Sequence, residues 1–229
     1  MVELSLTAAA AVPGRFTGDG VAVVIDVLRA TTSLTVARAA GAGPITAAAT
    51  PEQARALRER LPDALLCGER DGLRIPGFDL GNSPFEYGRD RVAGRALIFA
   101  STNGSQALQA AGTARRCWLA AFVNLAAVVE AVAGEPRVWV IASGKLGHFA
   151  IEDTACAGLL CRRLAERGAT LQGAAARAAA TLAVGDAAQV KSLVEGAPHA
   201  RALRALGPEF ARDVEFCAGL DVMDHAFTV

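Results

Sequence analysis

The 229-residue chain is poor in aromatic side chains and has no excess of either charge. Aromatic residues make up 5% of the sequence, and 23 basic side chains balance 23 acidic ones. We therefore expect no nucleic-acid partner, because such partners select a basic surface with interleaved aromatic side chains. Hydrophobic residues still make up 52%, so a large core is expected, built from alanine, valine and leucine.

The sequence also lacks a long apolar run, a leader pattern and a cysteine framework. No uninterrupted apolar stretch reaches the roughly 18–20 residues that a membrane span requires. Glu3 interrupts the first residues, so we expect no targeting segment and no membrane partner. The five cysteines are odd in number and form no C-x-x-C pair, which argues against a disulfide framework or a zinc site. The expected location is the reducing cytoplasm.

Hydrophobic periodicity predicts strands and helices that alternate along the chain. Strands are predicted at residues 2–6, 21–26, 45–49, 64–68, 96–100, 117–120, 138–142 and 226–229. Helices are predicted at residues 31–40, 51–61, 105–111, 124–133 and 152–167, with a short helix after Ser83, a long loop at 69–82 and mostly helical structure after residue 168.

This alternation implies parallel strand pairs and an α/β fold class. We expect a layered α/β/α architecture with a largely parallel or mixed sheet, for which two interlocked α/β subdomains are an alternative arrangement. Residues 1–229 are expected to act as a single catalytic unit, with any subdomain boundary near residues 90–120. The alanine-rich composition also leaves room for a homo-oligomer.

The most informative segment joins the apolar run at residues 21–25 to Asp26, Arg29, Thr31 and Thr32. The point where a strand ends and a helix begins is where α/β proteins bind anionic ligands. Arg29 offers a bidentate fork for phosphate or carboxylate, and the threonines can share free helix N–H groups with an anion. The alternative is a helix cap beside a surface ion pair.

Two further segments follow predicted strands and place polar or small residues at helix starts. Glu69 follows a strand directly, where it could bind a metal or orient water, and Asn82 precedes a helix start. Thr102, Asn103 and Gly104 join another strand to a helix, where small residues let backbone amides approach a phosphate. The lysine and spacing of a Walker A loop are absent, and helix capping or an ordinary Asn-Gly turn is the alternative.

A fourth segment contains Lys145 in a glycine-containing loop, followed by the adjacent carboxylates Glu152 and Asp153 at a helix start. Mg²⁺ favours one or two carboxylates together with substrate phosphate oxygens. We expect the pair to face the same pocket as Asp26, with Asp153 pointing inward, because adjacent helical residues diverge by about 100°. The alternative is that both carboxylates only complement the helix dipole.

Other nucleophilic chemistry has little support in the sequence. Cys156 lies near a helix start, but its spacing matches the buried face of that helix, where a free cysteine packs as a small hydrophobe. His148, His199 and His225 occur without a triad context, and the G-x-S-x-G elbow of a serine hydrolase is absent.

Taken together, these segments resemble the 2-phosphosulfolactate phosphatase family. The resemblance covers most of the chain, and its segments occur in the family's order. They are residues 24–32 (VIDVLRATT), 68–70 (GER), 75–84 (IPGFDLGNSP), 101–104 (STNG) and 149–158 (FAIEDTACAG), with similar tail segments at 199–203 (HARAL) and 213–217 (DVEFC).

The resemblance implies a magnesium-dependent phosphatase that converts (2R)-2-phospho-3-sulfolactate to sulfolactate and phosphate, a step in coenzyme M biosynthesis. Phosphoryl transfer needs charge neutralisation and an in-line nucleophile. Asp26, with Glu69 or with the Glu152–Asp153 pair, could hold Mg²⁺. Direct attack by water and a phosphoenzyme on Asp26 both remain open. The candidate catalytic residues are Asp26, Arg29, Glu69 and Asp153, and the candidate substrate-binding residues are Arg29, Thr31, Thr32, Arg70, Asn82, Thr102, Asn103, Gly104 and Lys145.

Two other functional classes compete with a phosphatase. A non-catalytic module that binds a phosphorylated metabolite would use the same guanidinium and helix starts but would not need several carboxylates. A sugar-phosphate isomerase would need a general base and no obligatory metal. The expected partner is a small phosphorylated organic acid.

Overall fold

The chain folds into strands and helices that alternate, as its periodicity predicts. The computed structural model describes residues 1–11 and 20–229. The strands are β1 (Val2–Ser5), β2 (Val21–Ile25), β3 (Ile45–Ala47), β4 (Leu65–Arg70), β5 (Leu73–Arg74), β6 (Leu97–Ala100), β7 (Cys117–Ala120), β8 (Val138–Ala142), β9 (Leu171–Gln172) and β10 (Phe227–Thr228). The helices are α1 (Ala30–Ala39), α2 (Pro51–Arg60), α3 (Arg89–Val92), α4 (Gly104–Ala110), α5 (Leu125–Val132), α6 (Ile151–Ala165), α7 (Gly173–Thr181), α8 (Ala187–Gly196), α9 (Pro198–Arg204) and α10 (Pro208–Cys217).

The larger sheet has the strand order β10-β7-β2-β8-β1-β9, and only the β10–β7 pair is antiparallel. Its central strand β2 has the sequence VAVVI and is buried at every position, as expected for a parallel strand covered by helices on both faces. Val23 and Ile25 pack into a core with side chains of α5 and α6, whereas Val24 packs with side chains of α1 and α4. The predicted layered α/β architecture is confirmed.

A smaller sheet with the order β3-β6-β4-β5 is built from chain inserted between β2 and β7. Its first three strands are parallel, and β5 forms an antiparallel hairpin with β4. The predicted loop at residues 69–82 is therefore wrong at its start. Asp71 and Gly72, with φ values of 53° and 83°, supply the two left-handed positions that a tight hairpin turn requires. The chain returns to the larger sheet between β6 and β7.

Most other predicted elements are confirmed, with ends shifted by one or two residues. The strands predicted at 117–120 and 138–142 match β7 and β8. The predicted cap of α2 is present, because the Thr50 hydroxyl accepts a hydrogen bond from the Gln53 N–H, and the Gln53 side chain accepts one from the Ala49 N–H. The tail is helical from α7 to α10, as predicted.

All five cysteines are free. Cys156 is fully buried in α6, and burial raises the pKa of its thiol well above the ordinary value, which opposes a nucleophilic thiolate. Among the helices formed by residues 1–11 and 20–229, none has the length and apolarity needed to cross a bilayer.

The close packing of α6 on α7 depends on a glycine. A Cβ atom at Gly158 would lie 2.2 Å from the carbonyl oxygen of Ala179. We expect Gly158→Ala to lower the free energy of unfolding by about 1–3 kcal/mol, measured by urea denaturation, because the helices must separate. The control is Gly196→Ala in α8, where nothing lies within 4 Å and alanine should be neutral or stabilise by up to ~1 kcal/mol. Equal effects of the two changes would contradict the prediction.

Candidate active site

A cavity of about 260 Å³ opens where parallel strands of both sheets end. Loops after β2 and β8 of the larger sheet meet loops after β4 and β6 of the smaller one, and α9 forms a further wall. Convergence at carboxyl strand ends is the general ligand position in α/β proteins. The cavity brings together seven of the residues predicted from the sequence, which are Asp26, Arg29, Glu69, Asn82, Thr102, Asn103 and Lys145.

Asp26 lies at the end of β2 and is almost fully buried. Its Oδ1 atom accepts a hydrogen bond of 3.0 Å from the Ala30 N–H at the start of α1, and no donor to Oδ2 is found among the described residues. Burial raises the pKa of Asp26 to about 6, and the negative charges of Glu69 and Glu152 add to that rise. The bond from Ala30 and the proximity of His199 oppose it. Asp26 therefore faces the cavity with an oxygen free to react or to bind a cation.

Arg29 is also buried, and its guanidinium is held by protein groups. Nη1 donates to Oδ2 of Asp213 at 2.5 Å, and Nη2 donates to the Gly72 carbonyl at 2.5 Å. The group lies 5.1 Å from the ring centroid of Phe210, and the Ser83 hydroxyl donates to the other oxygen of Asp213. Arg29 thus contributes a fixed positive charge to the cavity wall, with part of its bidentate fork already committed.

Glu69 connects two loops of the smaller sheet. Its Oε1 atom accepts from the Thr102 N–H at 2.7 Å, and Oε2 accepts from the Gly72 N–H at 2.8 Å. Backbone amides therefore occupy both oxygens, although the residue lines the cavity. This arrangement shows Glu69 holding two loops in place, and its role as a metal ligand stays a prediction.

Asp153 plays the same part in the larger sheet. Its Oδ1 accepts from the Val27 N–H at 2.8 Å and its Oδ2 from the Gly144 N–H at 3.0 Å. Burial, together with the charges of Asp26 and Glu152, raises the pKa of Asp153 well above its ordinary value. Asp153 and Glu152 are both buried near Asp26, but neither lines the cavity, so their expected direct exposure to the pocket is not found.

Three predicted substrate-binding side chains are used within the protein. The Thr31 hydroxyl contacts the carbonyl oxygens of Asp26 and Ala120, and the Thr32 hydroxyl donates to the carbonyl of Val27. These contacts arise because hydroxyls in a first helical turn reach the last carbonyls of the preceding strand. Arg70 turns to the carbonyls of Glu69 and Ala49. None of the three lines the cavity, so their role in substrate binding stays a prediction without support from the cavity lining.

Gly104 is likewise absent from the cavity lining, but it adjoins the site. A Cβ atom there would lie 2.5 Å from Cβ of Ala30 and 2.8 Å from Oδ2 of Asp26. Only glycine therefore allows the start of α4 to approach the end of β2 so closely. The absence of a side chain at Gly104 leaves room for Asp26, and a direct contact with substrate stays a prediction.

Several polar groups at the cavity have spare hydrogen-bonding capacity. Within the described part of the chain, Oδ1 of Asn82 and the Thr102 hydroxyl are buried without a partner. Asn103 accepts from the Leu146 N–H at 2.9 Å, which ties the loop after β6 to the loop after β8. Burial lowers the pKa of Lys145, while neighbouring carboxylates oppose that change. Unpaired buried polar atoms are costly, so these groups are suited to a polar ligand.

Two residues that the sequence did not single out as site residues complete the arrangement. His199, from α9, lines the cavity, and Asp213, from α10, holds Arg29. Both belong to the tail segments that carried the resemblance, which was the one available signal. Their local patterns are those of ordinary helical residues, so only the fold brings them to the strand ends.

The four carboxylates predicted to bind metal do not form a ready ligand cluster. Across residues 1–11 and 20–229, no group of three or more His, Cys, Asp or Glu side chains has a metal-binding arrangement. Asp26 fits a Mg²⁺ ion as a single protein ligand, because it is a buried carboxylate with Oδ2 unpaired. A hard cation of this type commonly takes its remaining ligands from substrate oxygens and water.

The sequence is similar to a group of named proteins. A sequence model of 2-phosphosulpholactate phosphatase matches residues 7–229. The chain is 41% identical over 204 residues to a protein of Deinococcus radiodurans, covering 87% of this chain and 83% of that protein. It is 40% identical over 204 residues to one of Synechococcus sp. (strain JA-3-3Ab), covering 87% and 84%, and 34% identical over 201 residues to one of Thermotoga maritima, covering 88% and 85%. Each relative is named "Probable 2-phosphosulfolactate phosphatase".

The burial of Asp26 should make its replacement stabilising at neutral pH. Its carboxyl group titrates near 3.8 when exposed and near 6 in the fold, so the parent protein loses stability as the pH rises through this window. The shift corresponds to about 3 kcal/mol. Relative to the parent, the free energy of unfolding of Asp26→Asn should therefore increase by up to that amount between acidic and neutral pH.

Urea denaturation across this pH range measures the change. The matched control is Asp63→Asn, which removes an exposed carboxylate and should leave the pH profile of stability nearly unchanged. A pH-independent difference between Asp26→Asn and the parent would show that the native carboxyl titrates normally.

Proposed function

Because the chain belongs to the 2-phosphosulpholactate phosphatase family, we propose that it hydrolyses (2R)-2-phospho-3-sulfolactate, or a related 2-phospho-hydroxyacid, to the hydroxyacid and phosphate. The observation that carries the proposal is Asp26, a buried carboxylate with an unpaired oxygen at a cavity that also contains Arg29, Lys145 and His199. Basic side chains around one free carboxylate oxygen suit a phosphate ester, whose charge must be neutralised while phosphorus is attacked.

The residues divide between binding and reaction. The fixed charge of Arg29 and the ammonium group of Lys145 attract the phosphate and the acid group of the substrate. The unpaired atoms of Asn82 and Thr102 supply hydrogen bonds to its oxygens. Asp26 either attacks phosphorus through Oδ2 or accepts a proton from an attacking water, and both routes fit a carboxylate with that oxygen free.

We also propose that the enzyme uses Mg²⁺, with Asp26 as its protein ligand. A bound Mg²⁺ would neutralise charge on the phosphate oxygens. The backbone contacts of Glu69 and Asp153 keep the loops around that position fixed. The cytoplasm and coenzyme M biosynthesis remain the proposed setting of the reaction.

The two competing functions are less well supported by the cavity. A module that only binds phosphorylated metabolites has no need for a free, buried carboxylate oxygen beside the anion, since that charge repels its ligand. A sugar-phosphate isomerase would use Asp26 as a base and would release no phosphate. Phosphate release is therefore the measurement that separates the three functions.

The first test measures phosphate release from a panel of 2-phospho-hydroxyacids, including (2R)-2-phospho-3-sulfolactate. The parent protein should release phosphate, and chelation of Mg²⁺ should suppress the release. Asp26→Asn should lower kcat by at least about 100-fold while circular dichroism shows an intact fold. Near-normal turnover of Asp26→Asn at limiting Mg²⁺ would remove Asp26 from the reaction.

The second test compares Arg29 and Arg70, for which the sequence predicts the same role in substrate binding. Arg29→Lys keeps the charge but loses the geometry that joins Asp213 and the Gly72 carbonyl, so kcat/KM should fall more than about 10-fold. Arg70→Lys is the control, because Arg70 contacts only backbone carbonyls among its hydrogen-bond partners and does not line the cavity. Equal losses in the two variants would return Arg70 to the site.

A further inference from the structure

His199 is a titratable side chain at the cavity to which the reaction above gives no role. It is the second residue of α9, it lines the cavity, and its side chain is 17% exposed. His199 is close enough to Asp26 that their electrostatic interaction lowers the pKa of the Asp26 carboxyl group. A histidine this close to the reactive carboxylate is placed to exchange a proton with a ligand in the cavity.

The partner of His199 is a buried carboxylate on a different helix. Oε1 of Glu152, in the first turn of α6, lies 3.3 Å from Nδ1 of His199, and the Glu152 side chain is 2% exposed. A carboxylate beside Nδ1 orients an imidazole ring and favours the tautomer with its proton on that nitrogen. The second ring nitrogen, Nε2, is then the atom left for the cavity.

The charges around this pair come from several elements. Asp26 after β2, Glu69 at the end of β4 and Lys145 after β8 line the same cavity as His199. Asp26 and Lys145 both interact electrostatically with Glu152. Among these groups Lys145 is the other candidate proton donor. It is a longer, half-buried side chain without a fixed hydrogen-bond partner among the described residues, whereas the carboxylate of Glu152 holds His199 in position.

We propose that His199 is a catalytic residue, the general acid that protonates the leaving oxygen of the substrate, and that Glu152 is its positioning residue. The inference rests on the proposed phosphatase function. It adds the acid that protonates the leaving oxygen, so that a poor leaving group can depart. An alkoxide from a 2-hydroxyacid is strongly basic, so its departure gains most from a positioned acid.

The step conserves atoms and charge. The bond between phosphorus and the ester oxygen breaks, and its electron pair stays on that oxygen. The oxygen takes the Nε2 proton of the imidazolium form of His199, which leaves the neutral ring with its proton on Nδ1 beside Glu152. Phosphorus meanwhile bonds to the attacking oxygen of water or of Asp26. Over the full cycle one water is consumed, because its oxygen joins the phosphate and one of its protons restores His199.

A comparison of leaving groups tests this role. The substrates are (2R)-2-phospho-3-sulfolactate, which leaves as an alkoxide, and 4-nitrophenyl phosphate, whose phenolate leaves without a proton. His199→Gln should lower kcat on the alkyl ester by about 10²–10⁴-fold and on the aryl ester by less than about 10-fold. Glu152→Gln should give a smaller loss with the same preference for the aryl ester. The control is His225→Gln, an exposed histidine outside the cavity, which should behave like the parent.

The outcomes separate the general acid from the proposed function. The parent could release phosphate while His199→Gln loses kcat equally on both esters, or loses none on the alkyl ester. Either result would overturn the role of His199 and leave the proposed phosphatase function standing. No release from either ester by the parent would overturn both. A second measurement uses His199→Ala with added imidazole on the alkyl ester alone. Recovery of kcat supports the proposal, and a folded variant whose kcat does not recover contradicts it.

Discussion

Two buried carboxylates hold the ends of the parallel strands together, and the rest of the site depends on them. Each accepts backbone N–H groups from two loops, Glu69 from the loops after β4 and β6, and Asp153 from the loops after β2 and β8. Loops at strand ends leave N–H groups without ladder partners, and a buried N–H without an acceptor is costly. The carboxylates satisfy these groups and fix the loops at the same time.

A third link ties the C-terminal helices to this framework. Asp213 of α10 joins Arg29 and Ser83, so α10 is tied to a residue of the cavity wall without lining the cavity itself. A buried ion pair of this kind is weak evidence for stability, since its desolvation offsets much of the attraction. Its effect is geometrical, because it holds a guanidinium at the cavity where an anion can reach it.

The electrostatic consequence is that burial disfavours the charged forms of two groups at the site. Burial makes Asp26 harder to ionise and Lys145 easier to neutralise. Both shifts oppose the charged forms that bind a phosphate ester and a cation, so the ligands themselves must supply the compensating charge. Perturbed groups gathered in one cavity are characteristic of functional sites, and here they coincide with the unpaired polar atoms of Asn82 and Thr102.

Local patterns in the sequence were sufficient to predict the fold class and to direct attention to the strand ends where the candidate cavity lies. Apolar runs, caps and glycine stops determine where strands and helices form. Polar residues after parallel strands of one sheet meet at one edge, which places Asp26 and Lys145 together after β2 and β8. Glu69 ends a strand of the smaller sheet, so the packing of the two sheets brings it to the same cavity. Which atoms face the cavity was decided by tertiary structure. The Thr31 hydroxyl donates to a backbone carbonyl, and His199 of α9 lines the cavity. Hydrogen-bond partners and burial depend on neighbours far apart in sequence, which no local pattern specifies.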